Sequence, residues 1–142
     1  MMNLKLKHYQ KEATKTQMAD AEPYQIIQML MVGVMDSLAL AKGSIERGDY
    51  EQKSRSLSKA SSIIVALRSS LDFSVGGEVS DNLNALYEYM TERLIDASLA
   101  KDTEAVDEVA SLFREIKSAW DDIPMEARVE AEQQRAATAN VG

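Results

Sequence analysis

The sequence predicts an all-α protein, an antiparallel up-down four-helix bundle. Apolar residues recur every three or four positions through four long stretches, which is the spacing of one helix face. Glycine and proline are scarce, at 6 and 2 of 142 residues, and several of them separate these stretches. Because the connections are too short for crossovers, consecutive helices are expected to pack as antiparallel neighbours.

The first two helices are predicted from the residues at their ends. Pro23 suits the first position of a helix, where its missing N–H would have no partner in any case. The apolar spacing continues from there, so the first helix is predicted at residues 23–47. Gly48 then ends this helix, and Asp49 is placed to cap the second, predicted at residues 50–71.

The third and fourth helices are predicted in the same way. The pair Gly76-Gly77 indicates a turn, after which a third helix is predicted at residues 79–101. Asp102 is a candidate N-cap for the fourth helix, predicted at residues 103–122, because a carboxylate there accepts a bond from the first backbone amides.

Two segments flank the predicted bundle at residues 23–123. Residues 1–22 form an arm that is basic but lacks the apolar centre of a secretory signal. Residues 124–142 form a tail without an apolar stripe, expected to be helical near residues 126–135 and disordered beyond. The longest unbroken apolar run is far shorter than the roughly 20 residues that cross a bilayer. We therefore expect a cytosolic protein without membrane insertion.

The composition argues against several classes of function. A net charge of −7 does not suit nucleic-acid binding, which needs a basic surface. The absence of cysteine excludes disulfides, thiolate zinc sites and thiol catalysis. The single histidine, His8, offers neither a Glu-x-x-His metal pair nor a base for the many serines. We expect no enzyme activity, no cofactor and no metal, and metal analysis or turnover assays would test this.

The helices carry more apolar residues than one buried stripe requires. A helix that faces a core needs them at about three of every seven positions. The first helix exceeds this between Ile26 and Met35, where apolar residues lie on nearly all sides. Since exposed apolar patches mark partner sites, the excess predicts a protein-binding function. A generic helical adaptor, or a bundle that forms a homodimer when free, would explain the same excess.

Several ordered motifs resemble one known family. Residues 59–64 read KASSII, residues 76–78 read GGE, and residues 86–90 read LYEYM. Together with Pro23 at the start of the first helix, they resemble the flagellar secretion chaperone family FliS. The resemblance extends over about residues 9–123.

The resemblance implies a specific partner. Such chaperones bind the disordered C-terminal segment of flagellin in the cytosol, prevent its premature polymerisation and present it to the flagellar type III export gate. It also implies that a short N-terminal segment caps part of the binding groove. The candidate flagellin contacts are Tyr9, Ile64, Leu67, Phe73, Leu86, Tyr87 and Met90. Most of these residue types also suit a bundle core, so core packing and partner contact both remain open for them.

Overall fold

The computed structural model describes residues 22–71 and 73–141, without the side chains of residues 73–76, 135 and 138–141. Within these ranges it contains five helices and no strand. The helices are α1 (Pro23–Arg47), α2 (Tyr50–Ser69), α3 (Phe73–Ala100), α4 (Thr103–Asp121) and α5 (Met125–Val141). The all-α prediction is therefore confirmed, while almost the whole predicted arm, including Tyr9, lies outside the described residues.

The first four helices close into a ring. Helix α1 packs against α2 and α4, and α3 packs against the same two neighbours on the opposite side. The contacts between α2 and α3 show that they run in opposite directions. Lys53, early in α2, bonds to Ser98 near the end of α3, whereas Arg68, late in α2, bonds to Asn84 near its start. The structure is the predicted antiparallel bundle, with α5 outside the ring.

One hydrophobic core fills the centre of the ring. Its largest fully buried apolar side chains come from all four helices: Leu38, Ile64, Leu67, Met90, Leu94 and Phe113. Full burial of a side chain of this size stabilises the fold by roughly 1.5–3 kcal/mol before entropy costs. The core extends along the length of the bundle and holds all four helices in place.

Local chemistry explains several helix ends. Gly48 adopts φ 73°, a left-handed conformation that glycine tolerates and that ends α1. The Asp49 carboxylate accepts a hydrogen bond from the Gln52 amide at 3.1 Å and so caps α2. Asp102 caps α4 in the same way, accepting from Glu104 at 2.9 Å. These three roles are those that the sequence predicts.

Two helices differ from the predicted bounds. Helix α3 begins at Phe73, before the predicted start at residue 79, and is broken at Gly77, whose φ of 52° and ψ of −125° are not helical. The break lies at the predicted glycine pair, and the stretch after it agrees with the predicted third helix, so the difference is the short helical segment from Phe73 that precedes the break. Helix α5 continues to Val141, past the predicted end near residue 135. No glycine or proline interrupts residues 125–141, and alanine, the strongest helix former, is frequent there.

Helix α1 is long and apolar enough to cross a bilayer, judged by length and composition alone. Its inner face, with Val34, Leu38 and Ala41, is fully buried in the bundle core. A central helix of a soluble bundle has the same composition. The apolar excess of α1 is therefore partly accounted for by the core, while Ile26 and Met29 are only partly buried and Val32 and Leu40 are exposed.

Candidate partner-binding surface

The predicted contact residues lie mostly inside the bundle. Four of them are at most 3 % exposed: Ile64, Leu67, Tyr87 and Met90. Leu86 is partly buried and packs against the same core. Tyr9 and the Phe73 side chain fall outside the described part of the chain. A partner could touch the four buried side chains only if neighbouring helices separated.

An open groove runs between α2 and α3 on the outside of the bundle. Its volume is about 460 Å³. We call it the α2–α3 groove, lined by Ser54, Leu57, Ser58, Ser61, Ser62, Leu94, Ile95, Ser98 and Leu99. From Ser54 to Ser62 it follows eight helical steps of α2, or about 12 Å at 1.5 Å per step.

The groove exists because small side chains face large ones. Helix α2 contributes mainly serines, which fill little space, while Leu57 and Leu94 are buried beneath them. Helix α3 contributes Ile95 and Leu99, four residues apart on one helix face. These two side chains are 58 % and 79 % exposed, among the most exposed aliphatic residues described. The groove therefore has one hydroxyl wall and one aliphatic wall.

Polar contacts join the two helices at one end of the groove and beyond the other. At one end the Lys53 ammonium donates to the Ser98 carbonyl oxygen at 2.8 Å. At the other, the Arg68 Nε donates to the Asn84 Oδ1 at 2.6 Å, and its guanidinium lies 3.6 Å from the Glu88 carboxylate. These contacts join α2 to α3 on either side of the groove.

A second groove, between α1 and α2, is smaller and more polar. Its volume is about 210 Å³, and it is lined by Asp36, Ser37, Leu40, Gln52, Arg55, Ser56 and Lys59. Leu40 is its one large apolar side chain. An apolar partner would bury less apolar surface there than along Ile95 and Leu99. The α2–α3 groove is therefore the better candidate site of the two.

Helix α3 is also fixed to α4. The Tyr89 hydroxyl donates to the Glu108 carboxylate, and the Arg93 Nε donates to its other oxygen at 2.9 Å. These bonds, that from Tyr89 most of all, lower the pKa of Glu108 because they favour the charged form. The three side chains form a structural link between α3 and α4. Within the described ranges, no three His, Asp or Glu side chains are grouped to hold a metal ion.

Comparison with known proteins decides the family. The family model described as "Flagellar protein FliS" matches residues 5–127. The chain belongs to the FliS family. It is 44 % identical over 118 residues to the flagellar secretion chaperone FliSB of Pseudomonas aeruginosa, covering 83 % of this chain and 94 % of that protein. It is 39 % identical over 121 residues to the flagellar secretion chaperone FliS of Vibrio cholerae, covering 85 % and 89 %.

A third FliS relative, the flagellar secretion chaperone of Salmonella typhimurium, is 38 % identical over 123 residues, covering 86 % of this chain and 91 % of that protein. The predicted family is thus confirmed. The FliS match includes all four helices of the ring and ends at residue 127, inside α5. Most of α5 therefore lies beyond the part of the chain that the family model describes.

Sequence reasoning missed the main residues of the groove. None of the residues that line the groove is among the contacts predicted from the sequence, and the serines were considered there only as unsupported nucleophiles. The available signal was the pair Ile95 and Leu99, which stands beside the buried stripe at a spacing of four. That signal does not say which helix lies opposite, so it could not have identified a groove.

Proposed function

We propose that this FliS protein is a cytosolic export chaperone that binds the disordered C-terminal segment of flagellin. Binding would prevent premature polymerisation of flagellin and support its type III export and filament assembly. Membership of a family whose relatives are named flagellar secretion chaperones supports this proposal. The structural observation that carries it is the α2–α3 groove with its exposed aliphatic wall, Ile95 and Leu99.

The energetics of ordering a flexible segment favour an elongated apolar site. Fixing one residue costs about 1–2 kcal/mol, whereas apolar burial returns roughly 25 cal/mol per Å². Each ordered residue must therefore bury on the order of 60 Å² of apolar surface to offset about 1.5 kcal/mol. An amphipathic helix of about two turns lying in the α2–α3 groove would meet this need.

The burial of four predicted contacts changes which residues we propose as partner contacts. Ile64, Leu67, Tyr87 and Met90 support the groove from the core. The direct contacts proposed here are Ile95 and Leu99, with the half-exposed Val65 further along α2. Tyr9, Phe73 and the partly buried Leu86 remain proposed contacts. A segment longer than the groove would continue over other exposed apolar residues of the bundle.

Calorimetry with a peptide from the C-terminal end of the cognate flagellin tests the proposal. We expect binding at micromolar concentration or tighter. Ile95→Ser or Leu99→Ser should each weaken it about tenfold, since each removes an aliphatic side chain worth about 1.5 kcal/mol when covered. Met125→Ser is the matched control, because Met125 is 60 % exposed but lies on α5.

The outcomes separate the proposal from its alternatives. Absence of a complex with the wild-type chain would contradict it. Equal weakening by the Met125 control would show that the groove is not the site. Sedimentation that shows a tight dimer, unchanged by the peptide, would favour a self-associating bundle instead.

A further inference from the structure

Two lysine side chains approach one tyrosine ring at the end of the α2–α3 groove. Tyr50, the first residue of α2, is 50 % exposed. The Lys101 ammonium lies 4.2 Å from the centre of its ring, and that of Lys53 lies 5.3 Å away. Lys53 also donates to Ser98, a residue of the groove, and Lys101 follows Leu99 by two positions. The cations therefore stand where the groove ends.

Neither ammonium has a carboxylate partner in the part of the chain that the structure describes. The ion pairs found there involve other lysines and arginines. Of the acids close in sequence, Glu51 pairs with Arg55 at 2.7 Å, and Asp49 and Asp102 each accept a bond from a backbone amide of the helix that they cap. Two ammonium groups without an ion-pair partner are therefore left to attract an anion, on a chain whose net charge is −7.

The two lysines differ in their role within the fold: Lys53 makes a structural hydrogen bond, whereas the Lys101 side chain is exposed. Lys53 is 6 % exposed, and its bond to Ser98 satisfies one of the last free carbonyls of α3. Lys101 is exposed and adopts φ 54°, the left-handed conformation for which a helix end usually has glycine. A lysine there accepts an unfavourable backbone conformation and places its cation beside the groove. Lys101 is thus the accessible group, with Lys53 behind it.

From these observations we propose that Lys101, supported by Lys53, binds the free C-terminal carboxylate of the flagellin segment. The inference rests on the proposed function and specifies how the partner lies in the groove. The last two turns of the segment would form a helix running parallel to α3, with aliphatic residues against Ile95 and Leu99. Its negative dipole end and its terminal carboxylate would then both meet the two cations.

The test compares two forms of the same flagellin C-terminal peptide, one with a free terminal carboxylate and one with a terminal amide. The wild-type chain should bind the free acid about fivefold more tightly, the range of a partly exposed ion pair. Raising the salt concentration to about 0.5 M should reduce this preference. Circular dichroism and thermal melting of each variant verify its fold.

Variants then assign the effect to Lys101. Lys101→Gln should weaken binding of the acid about fivefold and leave binding of the amide unchanged, so the preference disappears. Lys101→Arg should restore it. Lys59→Gln, which removes an exposed lysine of α2 at the other groove, should keep the full preference.

The possible results distinguish this inference from the proposed function. Equal binding of acid and amide by the wild-type chain would overturn the inference and leave the proposed function intact. Equal weakening of both peptides by Lys101→Gln would also overturn it, because the lysine would then not act through the carboxylate. Failure of both peptides to bind would contradict the proposed function itself, and the inference with it.

Discussion

Tyr87 illustrates how one side chain could be assigned either to the core or to the partner surface. It is 3 % exposed, and its ring lies 6.5 Å from that of Phe113, between α3 and α4. Burial raises the pKa of its hydroxyl because the charged form would lose its hydration. In the free protein this aromatic ring stabilises the bundle, and any effect of Tyr87 on binding would act through folding.

Tyr87→Ala should therefore lower the free energy of unfolding by about 3–5 kcal/mol, the cost of removing a large buried aromatic side chain. Urea unfolding followed by circular dichroism measures this change. Tyr87→Phe is the matched control, since it keeps the ring and should preserve both stability and peptide binding. Weaker binding in Tyr87→Ala with an unchanged unfolding free energy would instead place Tyr87 at the partner surface.

At the scale of elements, helix ends with a local chemical cause could be predicted and others could not. Gly48 and Asp49 fix the junction of α1 and α2 through a left-handed glycine and a carboxylate cap, and both are visible in the sequence. Gly76-Gly77 likewise indicated a break before the third helix, and the structure interrupts the helix at Gly77. The short helical segment from Phe73 that precedes this break was not predicted. A glycine pair is compatible with either a turn or a helical segment before it, so the sequence alone does not decide between them.

The groove could not be predicted for a different reason. Each of its walls is an ordinary helix face when considered alone. The serines of α2 are typical of a solvated surface, and Leu99 is typical of a surplus apolar residue. Only the pairing of α2 with α3 brings the short side chains opposite the exposed aliphatic ones. Ile64 and Leu67 became core residues because they continue the buried stripe of α2 that begins at Leu57, beneath the serines.

Replacing either of two glycines at the end of α1 by alanine is expected to have opposite effects on the stability of the fold. Gly48→Ala should destabilise the fold by about 1 kcal/mol, because a left-handed φ of 73° is unfavourable for any residue with a Cβ. Gly43→Ala lies within α1, where alanine is favoured by up to about 1 kcal/mol. Its Cβ would meet only the end of the flexible Arg47 side chain, so Gly43→Ala should be neutral or stabilising.

Thermal melting of the two single variants beside the wild type measures the difference. A lower melting temperature for Gly48→Ala and an equal or higher one for Gly43→Ala is the expected pattern. A fall of similar size in both would mean that the Gly43 site lacks the space that the structure shows. The loss of stability in Gly43→Ala would then come from steric contact of the added Cβ with its neighbours, because the helical backbone at residue 43 accepts alanine.

At the scale of the whole molecule, α5 is joined to the bundle through a stack of three side chains. The Arg128 guanidinium lies 4.1 Å from the centre of the Tyr24 ring, which stacks on Trp120 at 5.3 Å. The Tyr24 hydroxyl donates to the Trp120 carbonyl at 2.9 Å, and Arg128 also lies 3.8 Å from the Glu22 carboxylate. The stack therefore links α5 to the start of α1 and the end of α4.

Removal of α5 tests whether the four-helix ring binds the flagellin peptide without help from α5. A chain ending at Pro124 loses the Arg128 contact, worth about 1–2 kcal/mol for a partly buried cation on an aromatic ring, and should melt a few degrees lower. Its affinity for the flagellin peptide should be unchanged, because the α2–α3 groove is lined by α2 and α3 alone. Unfolding is followed by the fluorescence of Trp120, the one tryptophan of the chain.

Arg128→Gln in the full-length chain isolates the stacking contact from the rest of α5. If the contact attaches α5, this single change should account for most of the stability lost on truncation. A truncated chain that keeps its stability but fails to bind the peptide would contradict binding by the ring alone. It would show that α5, although mostly beyond the family match, completes the partner site. Unchanged affinity in both variants would instead confine partner binding to the four-helix ring shared with the FliS relatives.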